Sequence, residues 1–211
     1  MNTTLQTPAE TGPEIGAGSG SEVGRAKRLK AATMQAHDQL DKRIMAGEPF
    51  AALANYGRFL AVQHAFHRDI DALYDDPAIA ALVPDLAERR RFAQIGQDLA
   101  DLSLAPAEQT EAPRFAGGEI DVPTALGWLY VAEGSNLGAA FLFKMARALG
   151  LDENHGARHL AGHPDGRAQH WRSFTGALDE VALDEAEEMR VIEGANAAFR
   201  RVHGLVEQQY G

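Results

Sequence analysis

Apolar residues recur every three or four positions along most of this chain. In RAKRLKAATMQAHDQLDKRIM the positions Ala26, Leu29, Thr33, Ala36, Leu40 and Ile44 form one stripe, predicting a first helix from Val23 onward that Gly47 and Pro49 end. A second stripe, Tyr56, Leu60, Gln63, Phe66 or His67, Ile70 and Leu73, predicts a helix over 53–74, broken by Asp75, Asp76 and Pro77. Shorter helical pieces are expected around 78–82 and 85–102, and 103–122 has Pro, Gly and Glu without period and reads as a loop. Pro123 then opens a helix that is apolar on nearly every side, GWLYVAEGSNLGAAFLFKM, with a stop at Gly150. A broken segment carrying His155, His159 and His163 leads to a helix over 167–178. Asp184, with Glu187 three residues on, is suited to cap a last helix that runs to about Gln209. Alternation of the strand type and internal repeats are both absent. The expected fold is all-α, a single helical domain over 23–211 behind a disordered tail over 1–22.

Composition narrows the class. At 211 residues and 45% hydrophobic, the chain can bury a sizeable core. A formal net charge of −10 argues against a nucleic-acid partner and against an anionic membrane surface. No apolar run is long enough to span a bilayer, and the first residues lack the basic start and apolar stretch of a secretory signal. The chain has no cysteine, which removes disulfides, thiolate metal sites and cysteine nucleophiles and suits a cytoplasmic location.

Two features stand out chemically. Gly134 and Gly138 share one face of the long apolar helix, and each costs about 1 kcal/mol there relative to alanine. Something must come close to that backbone: by spacing alone a neighbouring helix is the commoner answer, a flat ligand the sharper one. His37 lies beside the apolar stripe of the first helix, where a lone histidine is more often a hydrogen-bonded core residue than a ligand. Lys30 shifts those odds, since it stands two turns earlier on nearly the same face, about 10 Å away by helical rise. That offset suits a cation holding an acidic edge of a wide, flat cofactor centred over the imidazole. Asp41, four residues on, is able to accept the other ring N–H, though a solvated surface aspartate is the commoner reading.

Other patterns are weaker. His155, His159 and His163 repeat at four residues, but Gly162 and Pro164 break the geometry, so they read as exposed or capping. His64 and His67 near Asp69 and Asp71 lack the Glu-x-x-His pair of carboxylate di-iron bundles. Arg89, Arg90 and Arg91 read as a solvated basic run, able at most to touch an acidic redox partner. Motifs for a serine hydrolase, a P-loop or a Rossmann fold do not occur.

Taken together, RLKAATMQAHDQLD, GWLYVAEGSNLGAAFLFK, LDENHGARHL and GRAQHWRSF resemble the bacterial biliverdin-producing haem oxygenases over nearly all of 25–210. The resemblance implies a helical bundle with haem between a proximal and a distal helix, His37 as proximal iron ligand, and Gly134, Ser135 and Gly138 as the distal segment lying against the haem face. Lys30, Tyr130, Met34 and Phe141 would contact the haem. Haem is then both cofactor and substrate: with O2 and external electrons the ring is opened at a meso carbon, giving biliverdin, CO and ferrous iron. Glu133 is expected to point away from that face, leaving ordered water near Ser135 to bring protons. Electrons must come from an external donor such as a ferredoxin or a flavoprotein reductase, and a bilin-binding photoreceptor is one downstream partner.

The sequence departs from the branch it most resembles, one that seats haem rotated in its plane and opens it mainly at the δ carbon. That branch has asparagine and phenylalanine where Lys30 and Tyr130 stand, and lysines at the positions of Met45 and Met145. The exchange of cations favours the ordinary seating and cleavage at the α carbon. Two competing readings stay open at this level: a non-catalytic haem-binding or haem-trafficking protein of the same fold, and a haem-free helical protein whose glycines only seat another helix.

Overall fold

The computed structural model describes residues 24–106, 111–116 and 120–211, so the expected tail over 1–22 lies outside the described residues. Seven α-helices fill these segments: α1 (Arg25–Ala46), α2 (Leu53–Ile70), α3 (Pro77–Leu82), α4 (Phe92–Asp101), α5 (Val122–Ala148), α6 (Arg167–Glu180) and α7 (Glu185–Tyr210). Among the described residues β structure is limited to isolated bridges from Asp152 to His155 and Gly156. No described helix is long and apolar enough to cross a membrane.

Local chemistry sets the boundaries. Asp184 and Glu187 make the reciprocal capping box that opens α7, with bonds of 2.8 and 3.0 Å. Asp121 accepts from the Thr124 amide ahead of Pro123, and Asp76 does the same for α3 ahead of Pro77. The stripe expected on the second helix continues past Ile70 as a 3₁₀ turn over Asp71–Asp75. The helical structure expected around 85–102 is a 3₁₀ turn, Leu86–Arg89, followed by α4. The break falls at Arg90 and Arg91, because Arg89 is drawn into the interior.

α7 is the central strut, packing along α5 and also along α1 and α2. It runs parallel to α1: Arg25 pairs with Glu188 at the start of both helices, and Arg43 with Glu207 at their far ends. Its crossing with α5 is the tight one. A Cβ at Gly127 would collide with the Val191 carbonyl and lie 2.6 Å from the Ala195 amide nitrogen, and one at Gly194 would strike the Thr124 carbonyl. The backbone-to-backbone approach expected of a glycine pair on the long helix therefore occurs at Gly127, not at Gly134 or Gly138.

These glycines should respond oppositely to alanine. Gly127→Ala must push two backbones apart and should destabilise the fold by about 1–3 kcal/mol or more. Gly138→Ala meets nothing within 4 Å and should gain about 0.5–1 kcal/mol of helix propensity. Urea unfolding of both variants checks this, and a Gly138→Ala protein less stable than the parent would overturn it.

Candidate functional site

Helical periodicity places Lys30, Met34, His37 and Asp41 on one face of α1, while Leu29, Thr33 and Leu40 on the other side are buried. All four outward residues are exposed, and for Met34 the exposure reaches 61%. The His37 ring stands edge-on to Phe199 of α7, with centroids 6.0 Å apart, as expected for a ring at the core edge. Its Nδ1 lies 3.4 Å from the Asp41 carboxylate and 3.9 Å from Asp38. Asp41 is thus both a solvated aspartate and a neighbour able to accept the Nδ1 proton, which leaves Nε2 as the outward nitrogen.

α5 repeats the arrangement with Gly134, Gly138, Phe141 and Met145, spaced by the same steps of four, three and four residues. A Cβ at Gly134 would touch only the edge of the Trp171 ring at 3.8 Å. Phe141 is 63% exposed, and Leu137 beside it is also open. Phe141, Met34 and Met189 are the most exposed large apolar side chains among the described residues. Ser135 is exposed, and its hydroxyl donates to the Ala132 carbonyl at 2.7 Å. Tyr130, one turn before Gly134, does not join the open face; it is buried against Trp171, with centroids 5.6 Å apart, and burial raises its phenol pKa.

Glu133 points into the protein, as expected. Its carboxylate accepts from Arg89 at 2.8 Å, and Arg89 also bonds Asp85 and the His170 carbonyl. Both side chains of the Arg89–Glu133 pair are 1% exposed. Burial raises the Glu133 pKa, and Arg89 opposes that rise. The arginine run is therefore not a solvated patch: Arg89 and Arg91 are buried, and Arg90 holds Asp71 and Asp75. His159, expected at the surface, is buried too, because its Nδ1 meets Asp98 at 2.8 Å. His155 does remain exposed, 3.7 Å from Asp101. His163 stacks on His170 at 4.3 Å. No three His, Asp or Glu among the described residues gather as a metal site.

Behind α5 lies a small, partly open pocket of about 10 Å³, room for one water. Its lining includes Glu133, Asn136 and His170, and each carries a buried polar atom with no hydrogen-bond partner among the described residues. The sequence signal for this layer was Glu133 itself, since a carboxylate inside an apolar helix demands a buried partner.

The buried histidines give the fold an acid-sensitive interior. Burial lowers His67 to about 3 and His170 to about 4, below the usual imidazole value of 6.5. The unfolded chain takes up protons that the native state refuses, so the contribution of these two histidines is full well above pH 6.5 and falls as pH drops toward 4. Each histidine contributes a slope of up to about 1.4 kcal/mol per pH unit. Urea midpoints measured at pH 7.5, 6 and 5 should decline in that order; a flat series would contradict it.

The likeness seen in the sequence extends to known proteins. The family model described as Heme oxygenase matches residues 24–208. "Heme oxygenase PigA" of Pseudomonas aeruginosa is 46% identical over 186 residues, covering 88% of this chain and 93% of that protein. The haem oxygenase of Neisseria meningitidis, solved with NO and with CO bound, superposes with a TM-score of 0.84 at 43% identity, over 90% of this chain and 93% of its own. The haem oxygenase of Leptospira interrogans shares the fold, with a TM-score of 0.67 at 17% identity over 88% of this chain and 100% of its own. With a helical bundle, an exposed imidazole on α1 and a bare glycine face on α5 already described, the chain belongs to the heme oxygenase family.

Proposed function

We propose that this protein holds haem between the outward faces of α1 and α5 and cleaves it, with O2 and electrons from an external donor, to biliverdin, CO and ferrous iron. The observation that carries the reading is the matched spacing on two helices: exposed Lys30, Met34 and His37 on α1, and half-buried Gly134 with exposed Gly138 and Phe141 on α5. The residues suit the group. Met34 and Phe141 offer apolar contact to a macrocycle, His37 offers Nε2 to the iron, and Lys30 is a cation about 10 Å along α1 from the imidazole, suited to a propionate. When bound, haem supplies the iron that activates O2 and the meso carbon that is oxidised.

The chain's own residues do the rest. Asp41 beside Nδ1 orients the imidazole. Gly134 and Gly138 keep side-chain volume away from the ligand face. The only carboxylate in that stretch of α5, Glu133, is turned inward and held by Arg89, so no acid on the open face competes with water as proton source. The Ser135 hydroxyl already donates to Ala132, which leaves its lone pairs to accept from such a water. The NO and CO ligands of the Neisseria relative support a pocket for diatomic ligands here as well.

Position along the haem edge is set by charge. Lys30 is exposed on the α1 face, and neither Met45 nor Met145 supplies a cation at its position. A charge-assisted propionate contact is worth about 1–2 kcal/mol, a shift in seating of about tenfold. The α isomer of biliverdin is therefore the expected main product, one a bilin-binding photoreceptor would accept. Haemin added to the protein should give a Soret band. Ascorbate, a ferredoxin system or a flavoprotein reductase should then convert the haem to biliverdin. Intact haem after those additions would refute the catalytic reading; mainly β or δ isomers would refute the seating.

A further inference from the structure

We propose that Met34 is a reversible oxidation site through which peroxide controls haem loading. The inference rests on the seating proposed above. The chain has no cysteine, so methionine is its most readily oxidised side chain. Met34 presents its thioether on α1 midway between Lys30 and His37, one turn from the imidazole and on the same face, with 61% of the residue exposed. Met189, on the second turn of α7 and outside that face, is also 61% exposed. The two sulfurs are alike in access and differ in place, which makes Met189 an internal reference.

The chemistry is a two-electron transfer. The Met34 sulfur attacks one oxygen of hydrogen peroxide, the O–O bond breaks, an S–O bond forms, and the second oxygen leaves as water once protons are redistributed. The thioether, an apolar and adaptable contact, becomes a polar sulfoxide. Bringing haem against α1 must then desolvate that dipole, while the donors nearest it on this face, Lys30 and His37, are engaged by the haem in the proposed seating. Burying such a group without a partner costs enough to weaken haemin binding about tenfold. Methionine sulfoxide reductase, with a dithiol as electron source, reverses the change and releases the oxygen as water.

The experiment starts from haem-free protein treated with hydrogen peroxide. Peptide mass spectrometry should find Met34 and Met189 oxidised at comparable rates. Gallium protoporphyrin, which does not react with peroxide as iron does, should protect Met34 and leave Met189 exposed. Haemin titration of the oxidised protein should show about tenfold weaker binding, restored by the reductase. Met34→Leu is read against its own untreated baseline, and its haemin affinity, whatever its starting value, should not change on peroxide treatment even with Met189 oxidised. Unchanged haemin affinity with Met34 fully oxidised would overturn the proposal, as would an equal loss in Met34→Leu. Failure of gallium protoporphyrin to protect Met34, together with a Soret band that survives His37→Ala, would instead overturn the seating itself.

Discussion

Arg89→Ala is expected to destabilise the protein by about 3–5 kcal/mol, the cost of leaving a buried charge without its partner. Three acceptors lose their donor at once: Glu133, Asp85 and the His170 carbonyl. The guanidinium also lies over the Phe174 ring at 5.5 Å, so packing is lost with the charge. Glu133 would respond by taking up a proton, because burial already pushes its pKa upward and Arg89 is the main force opposing that. For a chain of this size the loss lowers the melting temperature by on the order of 10 °C. Replacing both members, as Arg89→Met with Glu133→Leu, should recover much of the stability, since an apolar pair of similar volume avoids the desolvation. A single variant that melts within 2 °C of the parent, roughly a 1 kcal/mol effect or less, would contradict the reading of this pair as a buried charge and its needed partner.

His37→Ala should show the reverse pattern. The side chain is 57% exposed and makes an edge contact to Phe199 and approaches of 3.4 and 3.9 Å to Asp41 and Asp38, so unfolding should move by roughly 0.5 kcal/mol or less. Haem binding should change completely: no ligated Soret band and no conversion to biliverdin on adding reductant. Imidazole in solution should restore part of the spectrum by filling the vacated position. A ligated spectrum that is unchanged by the substitution would remove His37 as the iron ligand. The pair of variants separates what holds the bundle together from what holds the haem.

Much of the fold was legible because the signals are local. The capping box of α7 needs only Asp184 and Glu187, three residues apart, and the stripe of α1 shows in a single helix. Gly134 and Gly138 were equally visible, but their purpose was not. Spacing cannot distinguish a helix neighbour from an open face, and the structure answers by putting the close crossing at Gly127. Arg89 and His159 were misread because their partners are far away in sequence. Glu133 is 44 residues from Arg89, and Asp98 is 61 from His159. Three adjacent arginines look alike on paper, and only the tertiary fold turns Arg89 and Arg91 inward.

The parallel run of α1 and α7 has a consequence for His37. The ion pairs Arg25–Glu188 and Arg43–Glu207, with the His37–Phe199 contact between them, join residues that keep nearly constant offset, so they act like rungs fixing the two helices lengthwise. Helices slide past each other in steps of about one turn, 5.4 Å, and any such slip would break every rung together. The height of the imidazole above the bundle is therefore gauged from both ends of its helix. A side chain bathed mostly in solvent is thereby held to a fraction of a turn through the helix that carries it.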